Sequence, residues 1–485
     1  MSSIDDIRAE RVRKLEEIKK AGIEPFPVSP EKSFLISDIL ANFNKIKKPI
    51  FICGRIMAIR SHGGSVFFDV NDGSGILQAY LKKDDVSKEQ FFLFEKADIG
   101  DFVELKGKLF KTKKKEKTLK IGKWRFLAKS LLPLPEKWHG LQDIEERFRK
   151  RYLDLLMNQE VKERFLMRSR IISELRDILI KNGFIEVETP ILQPLAGGAL
   201  AEPFTTHHNS LDIDLNLRIA PELYLKKLLI GGFNKVFEIG RNFRNEGIDV
   251  THNPEFTMLE LYEAYQDAKG LRQQTEKFLK ELIKKIFKKP EIVFEENKIN
   301  FNKKFSEISY YEVLKRYALI IDAGKEDRNG ISLKAKQFGI KVEDFETKEK
   351  IMDNIYKKMC RPKIIQPTFI IDYPVGTSPL AKRMENNKEM IDRFQLVIAG
   401  MEIINGFSEL NDPVDQKERF AVQDKAKEAG DKEVSPSDKD YLEAMEYGMP
   451  PAAGLGIGID RLVMLLTNTK NIREVILFPT LRPKK

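Results

Sequence analysis

Residues 237–265 read FEIGRNFRNEGIDVTHNPEFTMLELYEAY, two strand-like arms carrying charged and polar groups within and between them. Side chains alternate faces along a strand. In the first arm Glu238, Asn242, Arg244 and Glu246 therefore share one face, while Phe237, Ile239 and Phe243 mostly take the other. In the second arm Phe256, Met258, Glu260 and Tyr262 share a face, and the loop between the arms holds His252 and Asn253. Antiparallel pairing would give one sheet face an arginine, two glutamates, an aromatic ring and a phenol. A packed core does not tolerate that set without partners. A cleft for a charged, flat ligand does.

Two further stretches carry chemistry. In MEIINGFSELND (401–412), Asn405, Phe407 and Glu409 fall on one strand face. Phe407 shaping an apolar sleeve, with Asn405 and Glu409 as polar fixtures, suits an aliphatic chain ending in an ammonium group. Glu402 has the opposite parity and joins that face only if the strand bulges or turns before Asn405. The alternative is an edge strand with solvent-facing polar groups. In GLGIGIDRLVMLLTN (454–468), glycines at 454, 456 and 458 let a ligand or another backbone approach closely. Asp460 is expected to cap a helix with the stripe Leu462, Leu465 and Leu466, and Arg461 to sit in its first turn. Many folds run a glycine-rich strand into a helix, and the spacing is not that of a P-loop or a dinucleotide fingerprint.

Positioning these groups takes a sheet, and the 485 residues allow two or three domains. Between 50 and 130, strand-like runs such as IFICGRIMAIR and SVFFDVNDGSGILQAYL alternate with turn residues, as in a small all-β barrel. The NDGSG turn puts Phe67 and Gln78 on adjacent arms. An aromatic platform beside an amide can stack and read an unpaired base, although core packing alone also accounts for Phe67 or Phe68. Residues 1–20 read as a basic helix, touching phosphates or packed on a neighbour with a solvated outer face. The stretch 132–156 opens with two prolines and moves into a helix, and it looks like a linker to a second domain. A helix near 160–182 follows, with Val161, Phe165, Ile172, Leu175 and Leu179 as its stripe and Asn182-Gly183 as its end. FIEVETPIL is expected to turn Ile185 and Val187 inward. Strand patterns recur to 265 and from 366 to 478, and 324–365 looks like an inserted helical excursion.

Composition narrows the class. Apolar residues make up 42% and charged residues 33%, which suits a soluble globular protein. The net charge of +10 is compatible with a nucleic-acid partner. Cys53 and Cys360 stand alone, which argues against a disulfide framework or a cysteine zinc site and fits a reducing cytosol. The charged N-terminus has no signal core and no run reaches membrane-spanning length, so a cytoplasmic, membrane-free protein is expected.

GFIEVETPIL, FRNEG…HNPEFT and GLGIGIDRL resemble the three signature motifs of the class II aminoacyl-tRNA synthetases. The stretch from LAGGALAEPF to NFRNEG, together with NGFSELNDP, is similar to lysyl-tRNA synthetases of the bacterial type, and the resemblance runs from about residue 50 to the end. It implies an α+β protein: a helical extension over 1–45, an OB-fold anticodon-binding barrel over 46–135, a linker over 136–155, and a class II catalytic domain over 156–485. That domain would be an antiparallel sheet flanked by helices, with the helical insertion near 324–365. The resemblance also implies a homodimer with the first motif in its interface. The substrates would be lysine, ATP and tRNA, with Mg2+ on the ATP.

Carried over position by position, Arg244 would bind the α-phosphate and the substrate carboxylate. Glu246, His252 and Asn253 would line the nucleotide site. Phe256 would stack on adenine, with Arg461 on the other side or at the γ-phosphate. Gly198 and Glu222 would hold the lysine α-amino group. Glu260, Tyr262, Asn405, Phe407 and Glu409 would surround the side chain, Glu409 nearest the ammonium, with Gly456 as the floor. Glu402 would hold magnesium, and Phe67 and Gln78 would meet the anticodon. The chain departs from the family at Gln395, where a second acidic metal ligand is usual; an amide binds magnesium more weakly than a carboxylate. Glu202 stands where bacterial relatives often have a basic residue.

The implied activation needs no protein nucleophile, because the substrate carboxylate attacks phosphorus. Catalysis then rests on positioning and charge neutralisation. The competing readings are an aspartyl- or asparaginyl-tRNA synthetase, opposed by the pocket glutamates, and a protein-modifying lysine ligase, which lacks the barrel. A third, a non-catalytic RNA-binding relative, would be expected to lose Arg244, Glu402 or Arg461.

Overall fold

A computed structural model describes residues 3–31, 33–135, 143–199, 201–344, 346–428 and 436–484. It consists of two compact units, Met1–Gln142 and Asp143–Lys485.

In the first unit, β1 (Ile50–His62), β2 (Ser65–Asn71), β3 (Ile76–Lys82), β4 (Phe102–Lys111) and β5 (Lys117–Ala128) close a barrel in the order β1-β2-β3-β5-β4. Alternation sends Val66, Phe68 and Val70 into its core and leaves Phe67 outside. Phe67 pairs with Tyr80 and Asp69 with Gln78, so Phe67 and Gln78 share the outer face. Tyr80 stacks against Phe67 at 4.6 Å and lies 6.0 Å from Phe110, which makes a row of three rings. Gln78 is buried, its amide oxygen accepting the Thr118 hydroxyl at 2.9 Å. The helix Ile4–Lys20 opens with a Ser3–Asp6 capping box. It docks through Ile18 in the barrel core and through buried Arg11, which donates to the carbonyls of Ile99, Ser130 and Leu132. For Arg11, packing on the neighbour was the right alternative.

The second unit begins earlier than expected. Residues 144–149 and 151–157 are helices, and Arg151 is fully buried, donating to Asp154 at 2.6 Å and to the carbonyls of Arg473 and Leu477. The linker reading is thus corrected from residue 143 onward: a buried guanidinium ties that stretch to the end of the chain. Residues 136–142 lie outside the described ones.

The remaining strands are β6 (Ile185–Glu186), β7 (Leu192–Gln193), β8 (Thr205–His208), β9 (Ile213–Leu217), β10 (Lys235–Phe243), β11 (Glu255–Ala264), β12 (Glu291–Phe294), β13 (Asn297–Asn300), β14 (Ser306–Ser309), β15 (Thr368–Pro374), β16 (Met390–Ile398), β17 (Met401–Ser408) and β18 (Ala452–Gly458). Eight of them form one sheet, β14-β15-β16-β17-β18-β11-β10-β6. Its inner six strands are antiparallel, and each edge strand runs parallel to its neighbour. The helices Gln159–Lys181, Ala268–Ile286 and Ile459–Leu466 cover one face, burying Leu175, Leu282 and Leu465 against Phe237, Leu259, Leu261 and Leu455. By strand parity, the neighbouring residues Glu238, Glu260, Tyr262 and Gly456 point the other way.

Two local expectations change, and a third holds. The helix Gln159–Lys181 buries Ile171 and Ile178 rather than Ile172; it ends at Asn182, and Gly183 has φ +84°. Ile185 is 51% exposed, because β6 is a two-residue edge strand and Phe184 takes the core position. The excursion at 324–365 is helical as expected, with Arg328–Gln337 and Lys348–Ile355, and Ile331, Ile351, Ile355 and Tyr356 are fully buried with Tyr310.

Candidate active site

The open face of the sheet floors a cavity of about 570 Å³. Two cross-strand rows build the floor. One runs Glu260–Gly456–Asn405–Gln395 and the other Tyr262–Gly454–Phe407–Arg393, over β11, β18, β17 and β16. The glycines make the trough. A Cβ at Gly454 would lie 2.3 Å from the Tyr262 ring and 2.5 Å from Glu409 Oε1, and one at Gly456 would lie 2.6 Å from Met258 Cε. β17 also carries the bulge that Glu402 required. Val397 pairs with Glu402 but Leu396 with Ile404, so the extra residue brings Glu402 onto the face of Asn405.

At one end of the cavity stand Arg244, Glu246, His252, Asn253, Phe256, Glu402 and Arg461. The Arg244 guanidinium lies 5.1 Å over the Phe256 ring, with Glu246, Glu260 and Glu402 in its surroundings. Arg461 donates to His252 Nε2 at 2.8 Å and to the main-chain oxygen of Glu402 at 3.4 Å. His252 Nδ1 contacts Asp249 Oδ2 at 2.8 Å. Because Arg461 has only protons to offer, Nε2 must accept, and the imidazole proton sits on Nδ1 facing Asp249. Burial pulls Arg244 and Arg461 down from the usual arginine range against the opposing pull of nearby carboxylates, Glu402 among them. Asn253 is buried, its amide donating to the Glu255 carbonyl at 2.6 Å.

Asp460 does not cap its helix. That helix starts at Ile459 after Gly458, and Asp460 accepts from Arg168 at 2.6 Å and from the Thr257 amide at 2.8 Å. It ties the long helix and β11 to the helix Ile459–Leu466, whose first turn carries Arg461. Glu238 shares the parity of Arg244, but it is held by Arg218 at 2.5 Å and Thr189 at 2.7 Å, and neither it nor Asn242 lines the cavity.

The other end gathers Gly198, Glu222, Glu260, Tyr262, Asn405, Phe407 and Gly456. Tyr262 donates to Glu260 Oε2 at 3.1 Å, and Asn405 Oδ1 accepts from Arg393 at 3.0 Å. Gly198 has φ +88°, and a Cβ there would meet Glu222 Cβ at 2.8 Å, so only glycine lets the two lie together. Burial, aided by the charge of Glu222, pushes the Glu260 carboxyl up to about 8.

Glu409 departs from expectation. It is fully buried and is not a lining residue; it sits beside Gly454 and Tyr262, ion-paired at 2.5 Å to Lys226. Lys226 is the residue the sequence reading missed. Its ammonium also pairs with Glu222 at 2.5 Å and lies 5.3 Å over the Phe407 ring. Burial alone would drive Lys226 towards neutrality, but Glu222 and Glu409 outweigh it and keep the ammonium. An internal ammonium thus already neighbours Glu409. A signal was present, since Glu222 and Lys226 are four residues apart on one helix. The insertion also supplies cavity wall: Glu349, Asp353, Lys357 and Arg361. Glu202 engages through its main chain, its carbonyl accepting the Asn245 amide.

Residues 143–482 match the family described as tRNA synthetases class II (D, K and N), and residues 50–127 match the OB-fold nucleic acid binding domain. The lysine–tRNA ligase of Carboxydothermus hydrogenoformans is 49% identical over 475 residues, covering 98% of this chain and 97% of the relative. That of Syntrophomonas wolfei is 48% identical over 484 residues, covering 99% and 98%, and that of Pelotomaculum thermopropionicum 47% over 486 residues, covering 99% and 96%. A sheet that sets two arginines opposite buried glutamates, full-length likeness to these relatives and a match spanning the whole second unit lead to one assignment: the chain belongs to the lysine–tRNA ligase family of class II tRNA synthetases.

Proposed function

We propose that the protein attaches L-lysine to its cognate tRNA in two steps, forming lysyl-adenylate from lysine and ATP and then passing the lysyl group to the terminal ribose. The observation that carries this reading is that one cavity joins a carboxylate end to an arginine end. Lysine spans it. Glu260 and Tyr262, backed by Glu409, meet the distal ammonium, Phe407 and the glycine trough take the methylenes, and Glu222 with Gly198 takes the α-amino group. That leaves the lysine carboxylate at Arg244. The nucleotide lies against Phe256, with its phosphates towards Arg244 and Arg461 and with Glu246, His252 and Asn253 around it.

The lysine carboxylate oxygen attacks the α-phosphorus, the bond to the β-phosphate oxygen breaks, and pyrophosphate leaves with the electron pair. Arg244 neutralises charge on both reactants, and the Asp249–His252–Arg461 chain holds Arg461 in place for the leaving phosphates. This is catalysis by position and preorganised charge. Glu402 would hold magnesium, which would supply positive charge against the phosphates. Among the described residues no three His, Cys, Asp or Glu side chains cluster as a metal cage.

An aspartate-loading enzyme needs a cation for the substrate side chain. Of the cations at this end, Lys226 is fully buried and paired with two glutamates, and Arg393 donates to Asn405 and to the Thr377 carbonyl. On the barrel, Phe67 and Gln78 would meet the anticodon, with Tyr80 and Phe110 extending the stacking surface. A homodimer through the first motif is supported by exposed apolar side chains at Ile180, Ile185, Ile191 and Leu192. No described helix is long and apolar enough to cross a membrane. The test is amino-acid-dependent exchange of labelled pyrophosphate into ATP. Exchange driven by lysine and not by aspartate or asparagine is expected; exchange driven by aspartate would overturn the reading.

A further inference from the structure

Arg361 was not among the sequence candidates. It follows the π turn Tyr356–Cys360 at the end of the insertion, lines the cavity, and sets Nη1 3.4 Å from Glu402 Oε2. Its Nε is buried and has no hydrogen-bond partner among the described residues. Arg244 and Arg461 also have Glu402 in their surroundings, so three guanidiniums share one carboxylate. On the neighbouring strand, the side-chain oxygen of buried Gln395 accepts two hydroxyls, Tyr356 and Tyr373, each at 3.0 Å. An amide oxygen has two lone pairs, and both are spent. Gln395 therefore offers a cation nothing without breaking a tyrosine bond.

We propose that Arg361 is a phosphate-binding residue standing in for a second metal ion, so that the nucleotide is held by one divalent cation at Glu402 and three guanidiniums. The charges agree. Arg244, Arg361 and Arg461 bring three positive charges against the carboxylates of Glu402 and Glu246, an excess that suits an anionic triphosphate. A guanidinium also forks onto two phosphate oxygens, a geometry that matches bridging between phosphates. The inference rests on the reading of this end of the cavity as the ATP site.

Counting bound Mn2+ tests it. The full-length protein is saturated with lysine and an α,β-methylene ATP analogue, and free Mn2+ is followed by electron paramagnetic resonance. One Mn2+ per bound nucleotide is expected; two or more would overturn the proposal. In Arg361→Ala, the analogue should bind roughly tenfold more weakly or worse, while the lysine Kd, measured without nucleotide, stays within about twofold. Unchanged nucleotide affinity in that variant would equally overturn it. Failure of the unaltered protein to bind the analogue at all would refute the site reading itself, and this inference with it.

Discussion

At the scale of single residues, the carboxylate end makes a prediction about pH. Glu260 is pushed up to about 8, so in the empty pocket it is mostly protonated at neutrality. A substrate ammonium favours the ionised form. Lysine affinity should therefore rise as pH climbs from about 6.5 to 8.5, with a proton released on binding. Calorimetry in two buffers of different ionisation enthalpy would detect the proton, and a pH-independent Kd with no release would contradict the assignment. The sign for stability is the reverse. The unfolded glutamate titrates near 4.3 and the folded one higher, so this group's contribution is complete below about pH 4 and is lost as pH rises through about 8. Lys226 sharpens the picture, because its loss strands two buried carboxylates. Lys226→Met should weaken lysine binding by at least about tenfold, on the scale of breaking a buried pair, and leave ATP binding nearly unchanged. At the other end, Arg244→Ala should remove roughly 3–4 kcal/mol of transition-state stabilisation, read as kcat/KM for pyrophosphate exchange.

Among the elements, the decisive one is the glycine strand β18, which is packed on its helix-covered face and hollow on the other. Gly454→Ala would drive a methyl into the Tyr262 ring. It should abolish measurable lysine binding while leaving ATP binding within about threefold, since the phosphate end is built from other residues. Equal loss of both ligands would mean that the strand serves the fold alone. Strand parity made most of this site readable in the sequence: Arg244, Phe256, Glu260 and Tyr262 share one parity along their two arms, Asn405 and Phe407 share one along theirs, and the structure brings them to one cavity. What stayed hidden depends on partners distant in the chain. Glu238 has the right parity but is claimed by Arg218, which comes from a separate loop. Arg361 opens a short turn at the end of the expected helical excursion, where nothing in the sequence marks it out, and its relation to Glu402 appears only when β17 lies beside it. Ile185 read as core because its alternation was right and its place at the edge of the sheet was not visible.

For the molecule as a whole, the two units divide the work. The barrel carries its own core and an outer row of rings, Phe67, Tyr80 and Phe110. Tyr80→Ala should weaken tRNA binding by roughly 1–3 kcal/mol, the scale of one base stacked on an aromatic ring. Pyrophosphate exchange, which needs no tRNA, should be unaffected; a fall in exchange would contradict that division. All of this depends on whether the buried carboxylates and the arginines form one site with two separable ends. The most direct measurement is a pair of equilibrium titrations on Glu260→Gln. The account predicts that lysine affinity falls by about a hundredfold or more, the scale of leaving a buried ammonium without its counter-ion, with ATP affinity within about threefold of the unaltered protein. Unchanged lysine affinity, or parallel loss of both ligands, would contradict it.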